Sequence, residues 1–168
     1  PPMGIEIDRT SFAEADYRAF GLLLQENLDC LRQLLARPGF GDGPGSLGSE
    51  LELYVVDGAG KPLYANEEIL ADSGDPHLTL ELNRYNLEFN LSPYAFTASA
   101  FASTEREILA RLDQLRAVAA RHGGRIVPIG ILPTLRPADF GSHCITPRRR
   151  YHALVDQFGA HARHAVGR

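Results

Sequence analysis

Glu50 and Glu52 stand two apart in the stretch Gly48-Ser49-Glu50-Leu51-Glu52-Leu53-Tyr54-Val55-Val56-Asp57. Apolar and polar residues alternate there, as in a strand with one buried face. Leu47, Leu51, Leu53 and Val55 fall on that face, and Gly48, Glu50 and Glu52 on the other. Carboxylates two residues apart on a strand are about 7 Å apart at the backbone. They repel unless water, a cation or a basic group comes between them. Glu81 and Glu88 stand in a second stretch of similar character, Leu78 to Asn90. Four glutamates on one sheet face offer the oxygen ligands of a site that holds a divalent cation and handles phosphate.

The second stretch has to bend for all four to meet. Leu78, Leu80 and Leu82 are apolar at even positions, then Leu87, Phe89 and Leu91 at odd ones. The phase slips across Asn83-Arg84-Tyr85-Asn86, which predicts a bulge or sharp bend inside one strand. Without the slip, a spacing of seven sends Glu81 and Glu88 to opposite faces. With it they share the polar face, and Asn90 follows Glu88 there. Asparagine is a poor strand former, so a run holding Asn83, Asn86 and Asn90 needs another reason to exist.

The elements that would position these residues are legible around them. Phe12, Tyr17, Phe20, Leu23, Leu24, Leu28, Leu31, Leu34 and Leu35 recur at helical spacing, predicting a helix from Ser11 to about Arg37. Ser11 with Glu14 reads as its capping box and Pro38-Gly39 as its stop. The glycine- and proline-rich residues 38–46 fit neither phosphate-binding glycine pattern and read as a connector. Asp57-Gly58-Ala59-Gly60 reads as a hairpin turn, and Asn66 to Ala71 as a short helix capped by Asn66. Thr104 with Glu107 forms a second capping box, opening an amphipathic helix that ends at His122-Gly123-Gly124. Arg125 to Leu132 reads as a strand whose Pro128 argues for an edge or a bulge. Thr146-Pro147 opens a last helix to about Phe158. Hairpin-like strands among helices predict an α+β sheet, antiparallel or mixed.

At 168 residues, with 44% hydrophobic and 23% charged residues, the chain is one globular unit or part of one. A net charge of −4 gives no sign of a nucleic-acid or anionic-membrane partner. No apolar run reaches the roughly 18 residues of a membrane span. Cys30 and Cys144 are too far apart for a metal-ligand spacing, and their scarcity predicts a reducing, cytoplasmic setting. Pro1 in place of Met suggests that the chain is not the whole translated product.

Other chemistry-bearing residues have plainer explanations. His161 and His164 have metal-like spacing but no third ligand and read as a solvated tail. His143-Cys144 lacks an oriented base. Arg148-Arg149-Arg150 reads mainly as an exposed helix face, although it could hold an anion.

Taken in order, Gly48-Ser49-Glu50-Leu51-Glu52, Leu87-Glu88-Phe89, Ile129-Gly130-Ile131-Leu132-Pro133-Thr134 and Arg150-Tyr151 resemble the N-terminal part of glutamate–cysteine ligase family 2, which includes the carboxylate–amine ligases. The resemblance spans Gly48 to Tyr151. It implies a fold like the catalytic domain of glutamine synthetase: a curved, mainly antiparallel sheet with the site on its concave face and helices packed on the other. It also implies an ATP-dependent ligase, in which ATP phosphorylates a carboxylate, typically the γ-carboxylate of glutamate, and an amine attacks the acyl phosphate. Carried over, Glu50 and Glu52 correspond to metal- or nucleotide-site glutamates of the first strand, and Glu81 and Glu88 to those of the next. The expected metal ligands are thus Glu50, Glu52, Glu81 and Glu88, holding Mg²⁺ or Mn²⁺. Glu50, Glu52, Glu88 and Asn90 are the expected nucleotide contacts, and Arg84 the group that holds a substrate carboxylate.

Where the carboxylate–amine ligases often carry Thr-His-Pro, this chain has Leu132-Pro133-Thr134 and no histidine. The family also continues beyond this length, so residues 1–168 are expected to be a single N-terminal portion of the catalytic domain and inactive alone. The expected partners are an amino acid, an amine and ATP, with self-association through an exposed sheet edge. Two other readings compete: a non-catalytic module on the same fold that binds an amino acid or small metabolite, and a hydrolase using paired carboxylates as acid and base.

Overall fold

The computed structural model describes residues 9–159. Ahead of the sheet lies α1 (Glu14–Leu35). Two short strands, β1 (Ser46–Leu47) and β5 (Tyr94–Ala95), pair with each other. The main sheet holds β2 (Glu50–Val56), β3 (Leu78–Leu80), β4 (Asn86–Asn90) and β6 (Arg125–Val127) in the order β3-β4-β2-β6, antiparallel throughout. Its helices are α2 (Asn66–Ser73), α3 (Ala100–Arg121) and α4 (Arg149–Phe158). The architecture is α+β.

One face of the sheet carries Leu53 and Val55 from β2, Leu87 and Phe89 from β4, and Ile126 from β6. Leu112, Leu115 and Ala119 of α3 and Ile69 of α2 close over them. The helical and strand periods bring one stripe and one face together, and burial of these side chains is the main stabilising term. Gly124 sits where α3 meets β2: a Cβ there would lie 3.1 Å from Leu63 Cδ2 and 3.2 Å from Val55 Cγ1. Gly123, at φ 72°, turns the chain out of α3 as expected of a helix-ending glycine.

The second face is covered over only part of its width. Tyr54, Val56 and Tyr85 pack beneath Leu132 and Cys144 from the loop after β6. Leu82, Ile145 and Tyr151 form a third cluster, so α4 lies away from the face that α2 and α3 cover. Glu50, Glu52 and Glu88 are left on the uncovered part, with Glu50 and Glu52 exposed. The burial of both Tyr54 and Val55 follows from this: the alternation legible at Glu50–Leu53 ends where the loop covers the second face.

Several expectations need correction. The phase slip after Leu82 is a hairpin: β3 and β4 pair antiparallel, Leu80 opposite Leu87, with residues 81–85 reversing the chain. A turn and a bulge shift the phase alike, because each adds residues that belong to neither ladder. The first strand breaks at Gly48-Ser49, and the one after α3 stops at Val127, before Pro128. It is an edge strand, and Pro128 follows its last residue. Neither expected capping box forms. Helix α1 starts at Glu14, where the Ala13 amide donates to Asp16 Oδ2 at 2.8 Å. Thr104 lies inside α3 and donates to the Ala100 carbonyl, and Glu107 accepts from Ser92 and Tyr94. Asn66 is the first residue of α2 rather than its cap.

Candidate active site

The ladder fixes the site. Glu52 is paired with Glu88, Glu50 with Asn90, and Thr79 with Glu88, so all five share one face of three neighbouring strands. Directly opposed residues in an antiparallel pair have Cβ atoms about 5 Å apart, close enough for two carboxylates to face one ion. Glu81, just past the end of β3, joins them. Its own burial, then the charges of Glu88 and Glu52, push its carboxyl up to about 7. The Leu82 amide, which donates to Glu81 Oε2 at 3.1 Å, pulls the other way and loses.

Asn90 donates to Glu88 Oε1 at 2.9 Å and to Thr79 Oγ1 at 3.2 Å, fixing the Glu88 side chain. Among the described residues, no salt bridge joins Glu50, Glu52, Glu81 or Glu88 to a basic group. Glu50 and Asn90 line a hollow of about 420 Å³ with Gly48, Ser49, Leu91 and Pro93. A hollow of that size holds a small molecule.

Of the expected residues, Glu52, Glu81, Glu88 and Asn90 are brought together, and Glu50 sits at the rim beside the hollow. Arg84 stands apart in the 81–85 turn. Its amide donates to the Cys144 carbonyl at 2.7 Å and a guanidinium nitrogen to the Tyr64 carbonyl at 3.4 Å. Its Nε is buried without a partner. The asparagines divide in the same way. Asn66 Nδ2 lies 2.9 Å from Thr146 Oγ1 and 3.2 Å from the carbonyls of Asn83 and Asn86. Asn83 donates to Asn86 Oδ1, and Asn86 to the Leu53 carbonyl. All three are buried, so they satisfy the backbone of the turn that delivers Glu81. Thr146 completes that support by donating to the Glu81 carbonyl at 2.6 Å. Thr79 was missed by sequence reasoning, although the alternation Leu78-Thr79-Leu80 already placed it on the polar face. No comparable signal marked Thr146, 65 residues from Glu81.

The donor chemistry fits a hard divalent cation: carboxylate oxygens on a partly wet face, with negative charge uncompensated. The side chains as placed do not close around one. Among the described residues, no three of His, Cys, Asp and Glu are gathered tightly enough to hold a metal ion. His143 and Cys144 belong elsewhere: the Cys144 thiol is buried and 3.4 Å from the Tyr64 hydroxyl, and His143 lies edge-on to the Tyr64 ring. Arg148 pairs with Glu67 at 3.3 Å, and Arg150 lies over the Tyr151 ring. His161 and His164 lie outside the described residues. No described helix is long and apolar enough to cross a membrane.

Comparison with known proteins bears on the same residues. Two mycobacterial proteins, from Mycobacterium sp. strains KMS and JLS, are each 28% identical to this chain over 123 residues, which is 70% of the chain. Both carry the name "Putative glutamate–cysteine ligase 2-2". The match covers 31% of each of them, so the chain spans about a third of the length of these relatives. No solved structure matches. The family model of glutamate-cysteine ligase family 2 matches residues 46–167, from β1 through every strand of the sheet and α4. The chain belongs to glutamate–cysteine ligase family 2.

Proposed function

We propose that this chain carries the carboxylate-lined part of the active site of an ATP-dependent carboxylate–amine ligase, a single N-terminal portion of a glutamine-synthetase-like catalytic domain. The acid is in the first instance the γ-carboxylate of glutamate. The observation that carries the reading is the meeting of Glu52, Glu81 and Glu88 on one open face, with the Glu81 carboxyl raised to about 7 by its own burial and then by the charges of Glu88 and Glu52.

Glu52, Glu81 and Glu88 are the proposed ligands of Mg²⁺ or Mn²⁺, which when bound neutralises phosphate charge during phosphoryl transfer. Glu88 is held for this by Asn90, and Glu81 by the buried amides and Thr146 beneath its turn. Glu50 and Asn90, on the wall of the neighbouring hollow, are placed for the nucleotide or the amino-acid substrate. Arg84, half-buried in the 81–85 turn, is the proposed partner of a substrate carboxylate through guanidinium donors other than its buried Nε. Proton economy favours cation binding at neutral pH: the proton that Glu81 carries near pH 7 is released when a cation takes its place.

The test is a Mn²⁺ titration, with and without ATP, on the chain and on Glu52→Gln. Saturable binding strengthened by ATP and weakened about tenfold or more in the variant is the expected result. A folded chain that binds ATP or an amino acid with no regard to the cation would instead identify a non-catalytic binding module. Absence of cation binding in both this chain and a full-length relative would refute the ligase reading.

A further inference from the structure

The ligase reading leaves the hollow of about 420 Å³ beside Glu50 open to each of its reactants: nucleotide, acid and amine. The donors and acceptors on its wall separate them. Three side chains there are polar: Ser49, Glu50 and Asn90. Asn90 has already committed its donors. Its side-chain amide gives one hydrogen to Glu88 Oε1 at 2.9 Å and the other to Thr79 Oγ1 at 3.2 Å. Its backbone N–H donates to the His77 carbonyl at 2.8 Å, and its own carbonyl accepts from His77 Nδ1 at 2.8 Å. What Asn90 still has to offer a ligand is its side-chain oxygen, Oδ1.

Glu50 is exposed, and among the described residues its carboxylate meets no basic group. The ladder sets it directly opposite Asn90 on the neighbouring strand, with Cβ atoms about 5 Å apart. The hydroxyl of Ser49 serves either role. The wall is therefore a carboxylate and an amide oxygen, with no basic side chain among the described lining residues and with Leu91 and Pro93 as its apolar part.

Such a wall selects a cation that is all donor. A primary ammonium brings three N–H donors and no acceptor, enough to bridge oxygens on two strands, and its carbon suits Leu91 and Pro93. A triphosphate or a carboxylate brings acceptors and negative charge to the same oxygens. Adenine sets an acceptor beside its donor group. A hydrated divalent cation matches the oxygens and leaves the apolar part of the wall without a partner. We propose that the hollow takes the amine acceptor of the ligase, held as its ammonium between Glu50 and Asn90, and that this acceptor is an alkylamine with no carboxylate beside its nitrogen. The Glu50–Asn90 pair lies two residues along the strands from the Glu52–Glu88 pair, about 7 Å away. An amine there stands next to the proposed place of phosphoryl transfer. The inference rests on the ligase reading but on side chains other than the proposed cation ligands.

Amide NMR spectra of the chain, without metal or nucleotide, read the hollow through Gly48, Ser49, Glu50 and Leu91. Ethylammonium chloride should shift these amides saturably, with a midpoint in the millimolar range expected of so small a ligand. Sodium chloride at the same concentration and propionate should not. Glu50→Gln should weaken ethylammonium about fivefold, and glycine should bind the parent about fivefold more weakly than ethylammonium does. Equal shifts with sodium chloride, unchanged binding in Glu50→Gln, glycine binding as tightly as ethylammonium, or displacement of ethylammonium by Mn²⁺ with ATP would each overturn the proposal. ATP-strengthened Mn²⁺ binding by a chain that ignores ethylammonium would overturn this inference alone and leave the ligase reading standing.

Discussion

Replacing Glu81 by Gln should stabilise the chain above neutral pH and leave it unchanged in acid. Glu81 has its folded pKa raised from 4.5 to about 7. Between those values the folded state holds more protons than the unfolded state, so stability falls as pH rises. The favourable contribution is fully present below about pH 4.5 and is lost by the time pH passes 7. A shift from 4.5 to about 7 corresponds to about 3 kcal/mol. Glu81 keeps some contact with solvent, which screens Glu88 and Glu52 and brings the expected effect nearer 2 kcal/mol. Glutamine preserves the shape, the oxygen that accepts from Leu82, and a donor toward Glu88, as the protonated acid does. Urea unfolding of the parent and Glu81→Gln at pH 4 and pH 8 measures the difference directly. The midpoints should coincide at pH 4, and the variant should lead by about 2 kcal/mol at pH 8. An equal difference at both pH values would show that Glu81 is not buried beside Glu88 and Glu52, and the convergence of the three carboxylates would fall with it.

Two further perturbations test the packing behind the sheet and the turn that delivers Glu81. Arg111 binds Asp75 at 2.6 Å and Glu107 at 2.8 Å, with all three side chains largely buried. Arg111→Met strands two carboxylates and should cost about 3 kcal/mol in urea unfolding; a loss within the noise of an ordinary surface substitution would mean that water replaces the guanidinium. Asn66→Leu removes the donor shared by Thr146 and the Asn83 and Asn86 carbonyls. It should cost about 3 kcal/mol through unsatisfied buried groups, and amide exchange of the 81–86 segment should accelerate. Unchanged exchange there would separate the asparagines from the turn they are assigned to support.

What could be read from the chain alone was what is local and periodic. Leu51-Glu52-Leu53 and Leu87-Glu88-Phe89 each announce a half-buried strand, and once two such strands pair, Glu52 and Glu88 need only the right register to meet. Pro128 marked its strand as an edge for an equally local reason, the missing N–H. Failures came where two structures write the same pattern. Ser11-x-x-Glu14 and Thr104-x-x-Glu107 satisfy the capping rule, but α3 begins at Ala100 and takes Thr104 inside, where its hydroxyl returns to the Ala100 carbonyl. The apolar spacing of α1 announces a helix but not its surroundings. Only the structure shows that none of its residues is buried in the described chain.

The slip between Leu82 and Leu87 is the most instructive case, because the wrong element led to the right site. A bulge keeps the chain moving forward and carries Glu81 and Glu88 along one strand. The hairpin folds it back and seats them on adjacent strands. Both put the two carboxylates on one face, since the parity of the intervening residues, not their path, decides the face. The two differ in what holds Glu81. In a bulge the ladder would hold it. In the hairpin it lies beyond the last pair, and its position depends on Thr146, Asn66 and Asn83. That dependence explains why asparagines unsuited to strands occupy the segment, and why two of them are buried: Asn83 and Asn86, with Asn66 of α2, carry the turn, while Asn90, on the ladder itself, is left to orient Glu88.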